Sequence, residues 1–336
     1  MRNHSRFKQH CLYFLLSLLA LSCNHPKYPT TGSLEKLNAE LDQVIEPGAV
    51  IEILADGFVW SEGPVWLEAH EKLLFTDVPR NTIYEWSEKS GLKEYLTPSG
   101  FTGTETRSRE PGANGLALDA DGSLVMCQHG DRRVAKMNSP LTAPSPNFTT
   151  LADRFNGNRF NSPNDLALHN GSWYFTDPPY GLAQQSEDPD KEISFQGVYR
   201  VDVSGDVHLL IDSLTRPNGI AFTPDGNMIV ANSDPEKPFW YHYVLDEQGI
   251  VSGSLFYDAS HLTSSRKGLP DGLKIDSRGY VYATGPGGVL IFNPDGKLLG
   301  TIRLENAAAN CALSADEKTL FITNHQQLVR VQLKKR

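Results

Sequence analysis

From about residue 48 onward, apolar and polar residues alternate in short runs that tight turns separate. The alternation is clear at Leu116/Leu118, Leu166/Leu168, Ile220/Phe222, Leu273/Ile275 and Cys311/Leu313. A period of two residues is typical of a half-buried β-strand. Turn pairs follow these runs at Asp121-Gly122, Asn170-Gly171, Asp225-Gly226 and Arg278-Gly279. Because a β-rich stretch comes after each pair, the pattern predicts a repeated hairpin.

The hairpins belong to six units that begin at Ser61, Ala113, Pro163, Pro217, Pro270 and Ala309. Five units carry a polar residue just before the first strand, and the spacings between these residues are 52, 50, 54 and 53: Glu62, Asn114, Asn164, Asn218 and Asp271. We call these the mouth residues; in the sixth unit Ala309 has this register. The period predicts an all-β fold, a six-bladed β-propeller with four-stranded blades. A β-sandwich or two stacked domains would not need six units in matching register.

The two ends of the repeat region complement each other. The last unit stops after Leu328–Leu333 with room for three strands only, whereas Gly48–Asp56 is a strand that precedes the first unit. We therefore expect the N-terminal strand to complete blade six and close the ring, which removes an exposed sheet edge. The predicted propeller domain spans residues 48–336.

The N-terminus is typical of an export signal. Residues 1–22 combine a basic start with the apolar run Cys11–Ser22, which is shorter than the roughly 20 residues of a membrane span. "ALSC" ends at Cys23 and resembles a bacterial lipoprotein signal, which predicts lipidation of Cys23; the alternative is an ordinary secretory signal. We expect an exported protein on the periplasmic or cell-surface side of a bacterial membrane, anchored only through that lipid. Residues 23–47 predict an extended tether with a short amphipathic helix over Leu34–Ile45.

Composition and net charge restrict the classes of partner that we expect for the protein. The 336 residues carry a formal net charge of −9 without a basic stripe, which argues against a nucleic-acid partner. Cys127 and Cys311 lie in apolar runs, where a free cysteine behaves as a small hydrophobe; their pairing stays open, as does the oligomeric state.

The register predicts where polar side chains converge. In a propeller the first strand of each blade lines the central channel, so the mouth residues face one end of the axis. The second strand is antiparallel, so its end returns to the same face. Those ends carry Asp77, Gln128, Asp177, Asn232, Thr284 and Asn324, and the next positions include His129, Ser233 and His325. We expect two rings of polar side chains there.

The mouth residues form a set with oxygen ligands only, which suits a hard cation such as Ca²⁺. Glu62 and Asp271 would neutralise the ion, and Asn164 and Asn218 would add neutral oxygens. Asn114 is left to act through water. Asn and Asp are also common turn residues, but Glu62 is not explained in that way, and the shared register favours a site.

Four motifs carry a resemblance: "SEGPVW" at Glu62, "NSPNDLAL" at Asn164, "RPNGIAF" at Asn218 and "LPDGLKID" at Asp271. They resemble the gluconolactonase family that includes senescence marker protein and luciferin-regenerating enzyme. The resemblance implies a six-bladed propeller that hydrolyses lactones with one divalent metal, commonly Ca²⁺, with Zn²⁺, Mg²⁺ and Mn²⁺ left open. It also implies Glu62, Asn218 and Asp271 as metal ligands and Asn164 as a contact of metal or substrate.

These observations predict a metal-dependent hydrolase that converts a small-molecule sugar lactone, of the aldono-1,5 type, to its aldonic acid. Asp271 and Asn164 are the candidate catalytic residues, because a carboxylate within hydrogen-bond reach can deprotonate water beside a polarised carbonyl. Candidate substrate-binding residues are Asn114, His129, Asp177 and His325; His129 has a structural alternative. Specificity is expected in loops 99–112 and 180–196. The alternatives are a paraoxonase-like esterase or phosphotriesterase and a non-catalytic, ligand-binding propeller.

Overall fold

The computed structural model describes residues 27–105 and 109–334; the predicted signal peptide and Cys23 lie outside them. Helical structure in these residues is brief. It consists of the 3₁₀ turns Ala39–Gln43, Glu68–His70, Val78–Arg80 and Gln185–Glu187 and the α-helix Ser260–Thr263. None of the helices in the described ranges is long and apolar enough to cross a membrane.

Six antiparallel sheets form the six blades of a β-propeller, as predicted. Blades one to four each contain four strands in chain order. The strands are Ser61–Leu67, Lys72–Asp77, Thr82–Ser87 and Gly91–Leu96 in blade one; Ala113–Leu118, Leu124–Gln128, Arg133–Met137 and Phe148–Ala152 in blade two; Leu166–His169, Ser172–Asp177, Gly197–Val201 and Val207–Ile211 in blade three; and Pro217–Phe222, Met228–Asp234, Lys237–Asp246 and Gly249–Asp258 in blade four. A small sheet of Arg154–Phe155 and Asn158–Arg159 lies between blades two and three.

Blades five and six each have a fifth strand from the N-terminal segment. Blade five consists of Leu273–Ile275, Val281–Gly285, Gly288–Phe292, Leu298–Arg303 and Ser33–Lys36, and blade six of Asn310–Leu313, Thr319–Asn324, Gln327–Gln332, Ile51–Asp56 and Thr30–Thr31. Ile51–Asp56 pairs antiparallel with Gln327–Gln332, so the ring is closed by the N-terminal strand, as expected.

Between residues 27 and 47, the chain differs from the expected tether with a helix. Ser33–Lys36 is a strand that pairs with Leu298–Arg303, and only Ala39–Gln43 is helical, as a 3₁₀ turn. Leu41, within this turn, packs into the core. The physical reason is that a short isolated helix is marginal in water, whereas the open edge of blade five offers a full ladder of hydrogen bonds.

The core lies between neighbouring blades and makes the ring rigid. One cluster, for example, joins Leu67, Leu74 and Ile83 of blade one to Leu116 and Met126 of blade two. Cys127 and Cys311 are fully buried in different clusters, and both are free thiols. Packing of this kind holds the first strands at fixed positions around the axis.

Candidate active site

All five mouth residues line one cavity of about 350 Å³ at one end of the axis. In blade six, Ala309 takes the same position, because its N–H donates to Thr323 as that of Asn164 donates to Thr176. The other lining residues are Trp60, Glu110, Tyr180, Arg216, Ser233, Gly268, Leu269, Ala307 and Ala308. The structure therefore brings together the side chains that the register aligned.

The glycine after a mouth residue permits close contact between blades and is not simply a turn residue. A Cβ on Gly63 would lie 1.8 Å from the carbonyl oxygen of Asn114, and one on Gly219 would lie 2.3 Å from that of Asp271. Because Gly219 has no positive φ, a turn does not explain the Asn218-Gly219 pair. The glycines let adjacent mouth residues approach one another closely.

Threonine hydroxyls hold the backbone of the mouth residues. Thr76 donates to the carbonyl of Asn114 at 3.2 Å, and Thr176 donates to that of Asn218 at 2.7 Å. Thr284 donates to Ala309 at 2.8 Å in the same way. These bonds join neighbouring blades and satisfy main-chain oxygens, so the mouth side chains are oriented by a fixed backbone.

Glu62 and Asp271 are two carboxylates that share a buried site. The carboxylate of Glu62 accepts hydrogen bonds from the Gly63 N–H at 3.1 Å and from the Trp60 indole at 3.4 Å. Burial, with smaller contributions from Asp165 and Glu110, raises the pKa of Glu62 to about 8. Burial and then the charge of Glu62 raise the pKa of Asp271 well above its ordinary value.

The donor set fits a hard cation. Oδ1 of Asp271 and Oδ1 of Asn114 are buried and have no hydrogen-bond partner. Within 27–105 and 109–334, no group of three or more His, Cys, Asp or Glu side chains is arranged to hold a metal. Two carboxylates at the axis would thus need the amides of Asn164 and Asn218, and water or substrate oxygens, to complete a coordination shell.

Two carboxylates of the second polar ring, at the ends of the second strands, bind main-chain N–H groups. Asp77 accepts hydrogen bonds from the N–H groups of Val59 and Trp60, at 3.0 and 3.1 Å. Asp177 accepts from those of Asn161 and Ser162, both at 2.8 Å. Each carboxylate therefore fixes the segment two to three residues before a mouth residue.

Two predicted members of this ring need correction. Asp177 is fully buried and is not among the cavity-lining residues, so the structure gives no support to a contact with substrate. Thr284 is one position out of register: Leu273 pairs with Ala283 as Leu166 pairs with Phe175, so Thr284 matches Thr176. The short strand Leu273–Ile275 hides this shift in the sequence.

The two histidines of the predicted site, His129 and His325, pack against residues that line the cavity. His129 is fully buried; its Nε2 is 3.4 Å from Nδ2 of Asn164, and burial lowers its pKa to about 3. The neutral ring supports the Asn164 amide, which is the structural alternative for this residue. His325 packs edge-on against Trp60, with ring centroids 5.3 Å apart. Neither imidazole lines the cavity.

Known proteins are similar to this chain in sequence and in architecture. The family model described as the SMP-30/gluconolactonase/LRE-like region matches residues 60–326. The chain belongs to this family. It is 36% identical to a gluconolactonase of Zymomonas mobilis over 93% of this chain and 89% of the relative. It is 26% identical to a pentonolactonase of Haloferax volcanii over 78% and 80% of the two chains.

A solved structure of a gluconolactonase from Xanthomonas campestris has a TM-score of 0.77 and 27% identity, and the match covers 93% of this chain and 99% of that one. The luciferin-regenerating enzyme has the same fold, with a TM-score of 0.67 at 16% identity. The predicted family and propeller fold are both confirmed.

This gluconolactonase-family chain also places residues in the site that sequence reasoning missed. Glu110 and Tyr180 reach the cavity from the two loops expected to hold specificity. Burial raises the pKa of Glu110 to about 7 and keeps the Tyr180 phenol protonated by raising its pKa. Spacing gave no signal for either residue, because loop conformation alone decides where they point.

A polar pair lies deeper in the channel. Asp165 and Asn310 occupy the position after the mouth residue, where the other four units have glycine, and Asn310 Nδ2 donates to Asp165 Oδ2 at 3.3 Å. Their units are three apart in a ring of six, so the pair joins opposite blades. The sequence signal for this pair is that the third and sixth units lack the glycine that follows the mouth residue in the other four units.

Proposed function

We propose that the protein hydrolyses a sugar lactone of the aldono-1,5 type to its aldonic acid, with a divalent cation bound at the mouth residues. The reaction class rests on the family, and the chain is a lactone hydrolase by that relationship. The observation that supports the cation and mechanism is the pairing of Glu62 and Asp271, both with raised pKa, in a cavity that Asn164 and Asn218 also line.

Glu62, Asn164, Asn218 and Asp271 would hold the cation. We propose Ca²⁺, with Zn²⁺, Mg²⁺ and Mn²⁺ as tested alternatives, since the ligands are oxygens without a thiolate or imidazole. When bound, the cation would supply Lewis-acid polarisation of the lactone carbonyl and stabilise negative charge on its oxygen.

The protein's own groups perform the remaining tasks. Asp271 accepts the proton of the attacking water through the part of its carboxylate that the cation leaves free. The Asn164 amide, held by His129, orients the reacting lactone. The protonated Tyr180 is a hydrogen-bond donor for sugar oxygens, and the wall of Leu269 and Ala307 excludes water from one side of the cavity.

The test is a pH-stat assay of glucono-1,5-lactone with and without a chelator, together with calorimetric titration of Ca²⁺. Glu62→Gln should weaken Ca²⁺ binding and lower the rate at least 100-fold, because it removes one of two charged ligands. Glu94→Gln, an exposed change in the same blade, is the matched control and should change neither. Equal rates in chelator would refute metal dependence. Cleavage of aryl esters without lactone hydrolysis above the spontaneous rate would favour the esterase.

We also propose export and lipid anchoring at Cys23, as the signal sequence predicts. Metabolic labelling with palmitate in a bacterial host should mark the wild type and leave Cys23→Ser unlabelled. Labelling of both proteins, or of neither, would contradict the lipoprotein assignment.

A further inference from the structure

A ring of residues encloses the mouth of the cavity, two positions before each mouth residue. We call this ring the collar: Trp60, Gly112, Ser162, Arg216, Leu269 and Ala307. Four of its six members line the cavity. The second polar ring fixes the backbone of two of these four: Asp77 accepts the N–H of Trp60, and Asn232 accepts that of Arg216 at 2.8 Å. The repeat thus gives the collar a rigid frame and varies its side chains.

Arg216 is the one charged member of the collar. Its side chain is half-buried and, within the described residues, its guanidinium has neither a hydrogen bond nor an ion pair to the protein. Asp234 is near enough to interact with this charge, but its carboxylate is bound by the Thr215 hydroxyl and the Glu236 N–H. The positive charge therefore remains available to a ligand.

The charges of the cavity are divided. Glu62, Glu110 and Asp271 are acidic, whereas Arg216 is the only basic residue among those that line the cavity. In the next two blades, the collar members Leu269 and Ala307 are apolar and offer no side-chain donor. A ligand that complements both the charged and the apolar residues of the cavity would place electron-rich oxygens against the Arg216 guanidinium.

Carboxylate is the group that best matches a free guanidinium, since two parallel N–H donors meet two oxygens. Neutral sugar hydroxyls do not require a charged donor, because a side-chain amide would bind them equally well. Hydrogen bonds to such hydroxyls would also not offset the free-energy cost of keeping a cation half-buried. We propose that Arg216 is a specificity-determining residue that binds a carboxylate of the ligand. This rests on the proposed function.

Two sources share that chemistry. The carboxylate is either a second acid group already on the substrate, as in the monolactone of a sugar dicarboxylic acid, or the acid group that hydrolysis creates. In the first case Arg216 selects the substrate; in the second it holds the product. The two sources have different kinetic consequences.

The experiment compares wild type, Arg216→Gln and Arg216→Lys in pH-stat assays of glucono-1,5-lactone and of a glucaric acid monolactone. If the carboxylate belongs to the substrate, Arg216→Gln should lower kcat/KM for the glucaric lactone at least tenfold more than for the neutral lactone, through KM. Arg216→Lys should recover part of that loss, because it restores charge without the planar fork. If the carboxylate belongs to the product, Arg216→Gln should instead weaken inhibition by gluconate at least tenfold.

Lys237→Gln is the matched control, because it removes one exposed positive charge from the same blade. Unchanged lactone preference together with unchanged gluconate inhibition in Arg216→Gln would overturn the proposal, and so would equal effects of Lys237→Gln. Calorimetric binding of gluconate and glucarate to the wild type and to Arg216→Gln needs no turnover. It therefore tests the role of Arg216 even if no lactone is hydrolysed, an outcome that would refute the proposed function instead.

Discussion

The axial site and the seam where the ring closes both hold charged groups in partly buried positions. The two regions differ in whether those charges have partners of opposite charge within the protein. We define the seam as strands Ile51–Asp56 and Gln327–Gln332 with the adjoining residues Trp86 and Glu88 of blade one. There Arg330 donates to Glu52 at 2.7 Å, also pairs with Glu88, and lies over the Trp86 ring. At the axis, like charges meet and buried oxygens lack partners.

The difference separates stability from function. Opposite charges with hydrogen bonds hold the seam, where the chain must stay closed. Carboxylates kept close together without a protein cation create a site that is favourable only when a ligand supplies the missing charge.

Asp271→Asn should have the largest effect. Activity should fall about 1,000-fold or more, since the carboxylate is both proposed proton acceptor and ligand. In chelator at alkaline pH, the same variant should be more stable than the wild type, because an amide cannot ionise beside Glu62 in a buried site. Lactone turnover and denaturant unfolding measure the two effects.

Asp295→Asn, an exposed change in the same blade, is the control for both measurements and should be neutral. An Asp271→Asn enzyme with wild-type turnover would contradict the assigned role. A less stable Asp271→Asn protein in chelator at alkaline pH would contradict the contrast with the seam.

Arg330→Met should show the reverse behaviour. Loss of the guanidinium leaves Glu52 without its partner, and both side chains are only 13% exposed, so unfolding should become easier by about 2–3 kcal/mol. Lactone turnover below the melting temperature should not change, because the seam lies away from the cavity. Arg154→Met removes exposed ion pairs with Asp153 and Glu192 and a hydrogen bond to the Gly157 carbonyl, and should cost less than about 1 kcal/mol. Equal losses in the two variants would contradict the importance of the seam.

The metal-free protein should lose stability as pH rises. Glu62 titrates near 8 and Glu110 near 7 in the folded state, both above the ordinary 4.5. A raised carboxyl pKa favours the folded state below the unfolded pKa, and this stability is lost as pH rises through the folded values. In chelator, Tm should therefore fall between about pH 5 and pH 8, and Glu62→Gln should flatten the slope. Added Ca²⁺ should restore Tm most strongly at pH 8, since ionised ligands bind cations; a flat metal-free profile would refute this.

The buried thiols should show the smallest effect. Burial raises the pKa of Cys127 and of Cys311, so little thiolate is present, and both side chains are inaccessible. Alkylation followed by mass spectrometry of the two peptides should find no modification in native protein and complete modification after unfolding. Rapid native labelling, or a disulfide that links the two peptides, would contradict the structure.

The repeat made much of this site predictable. Five mouth residues were aligned through local turn and strand patterns, and propeller geometry then directs residues of equal register to one axis. The register also predicted that Asp77 and Asp177 belong to the polar site. Their carboxylate oxygens instead accept hydrogen bonds from backbone N–H groups, which the spacing of the repeats does not reveal. Sequence reasoning also missed the N-terminal strand Ser33–Lys36, because the partner that favours it lies some 260 residues later in the chain.

By itself, the sequence determined the fold, the closure of the ring and the identity of the mouth residues, because all three follow from a periodic pattern of local hydrogen bonding and burial. Only the tertiary structure decided which polar side chains remain unsatisfied. Asp271 has a carboxylate oxygen without a hydrogen-bond partner, whereas the oxygens of Asp177 accept hydrogen bonds. Arg216 lines the cavity, whereas Ser162, its equivalent in blade three, donates a hydrogen bond to a loop carbonyl. Those differences arise where loops and neighbouring blades meet. Contacts between segments that are far apart in the sequence produce no periodic pattern, so the sequence alone does not predict them.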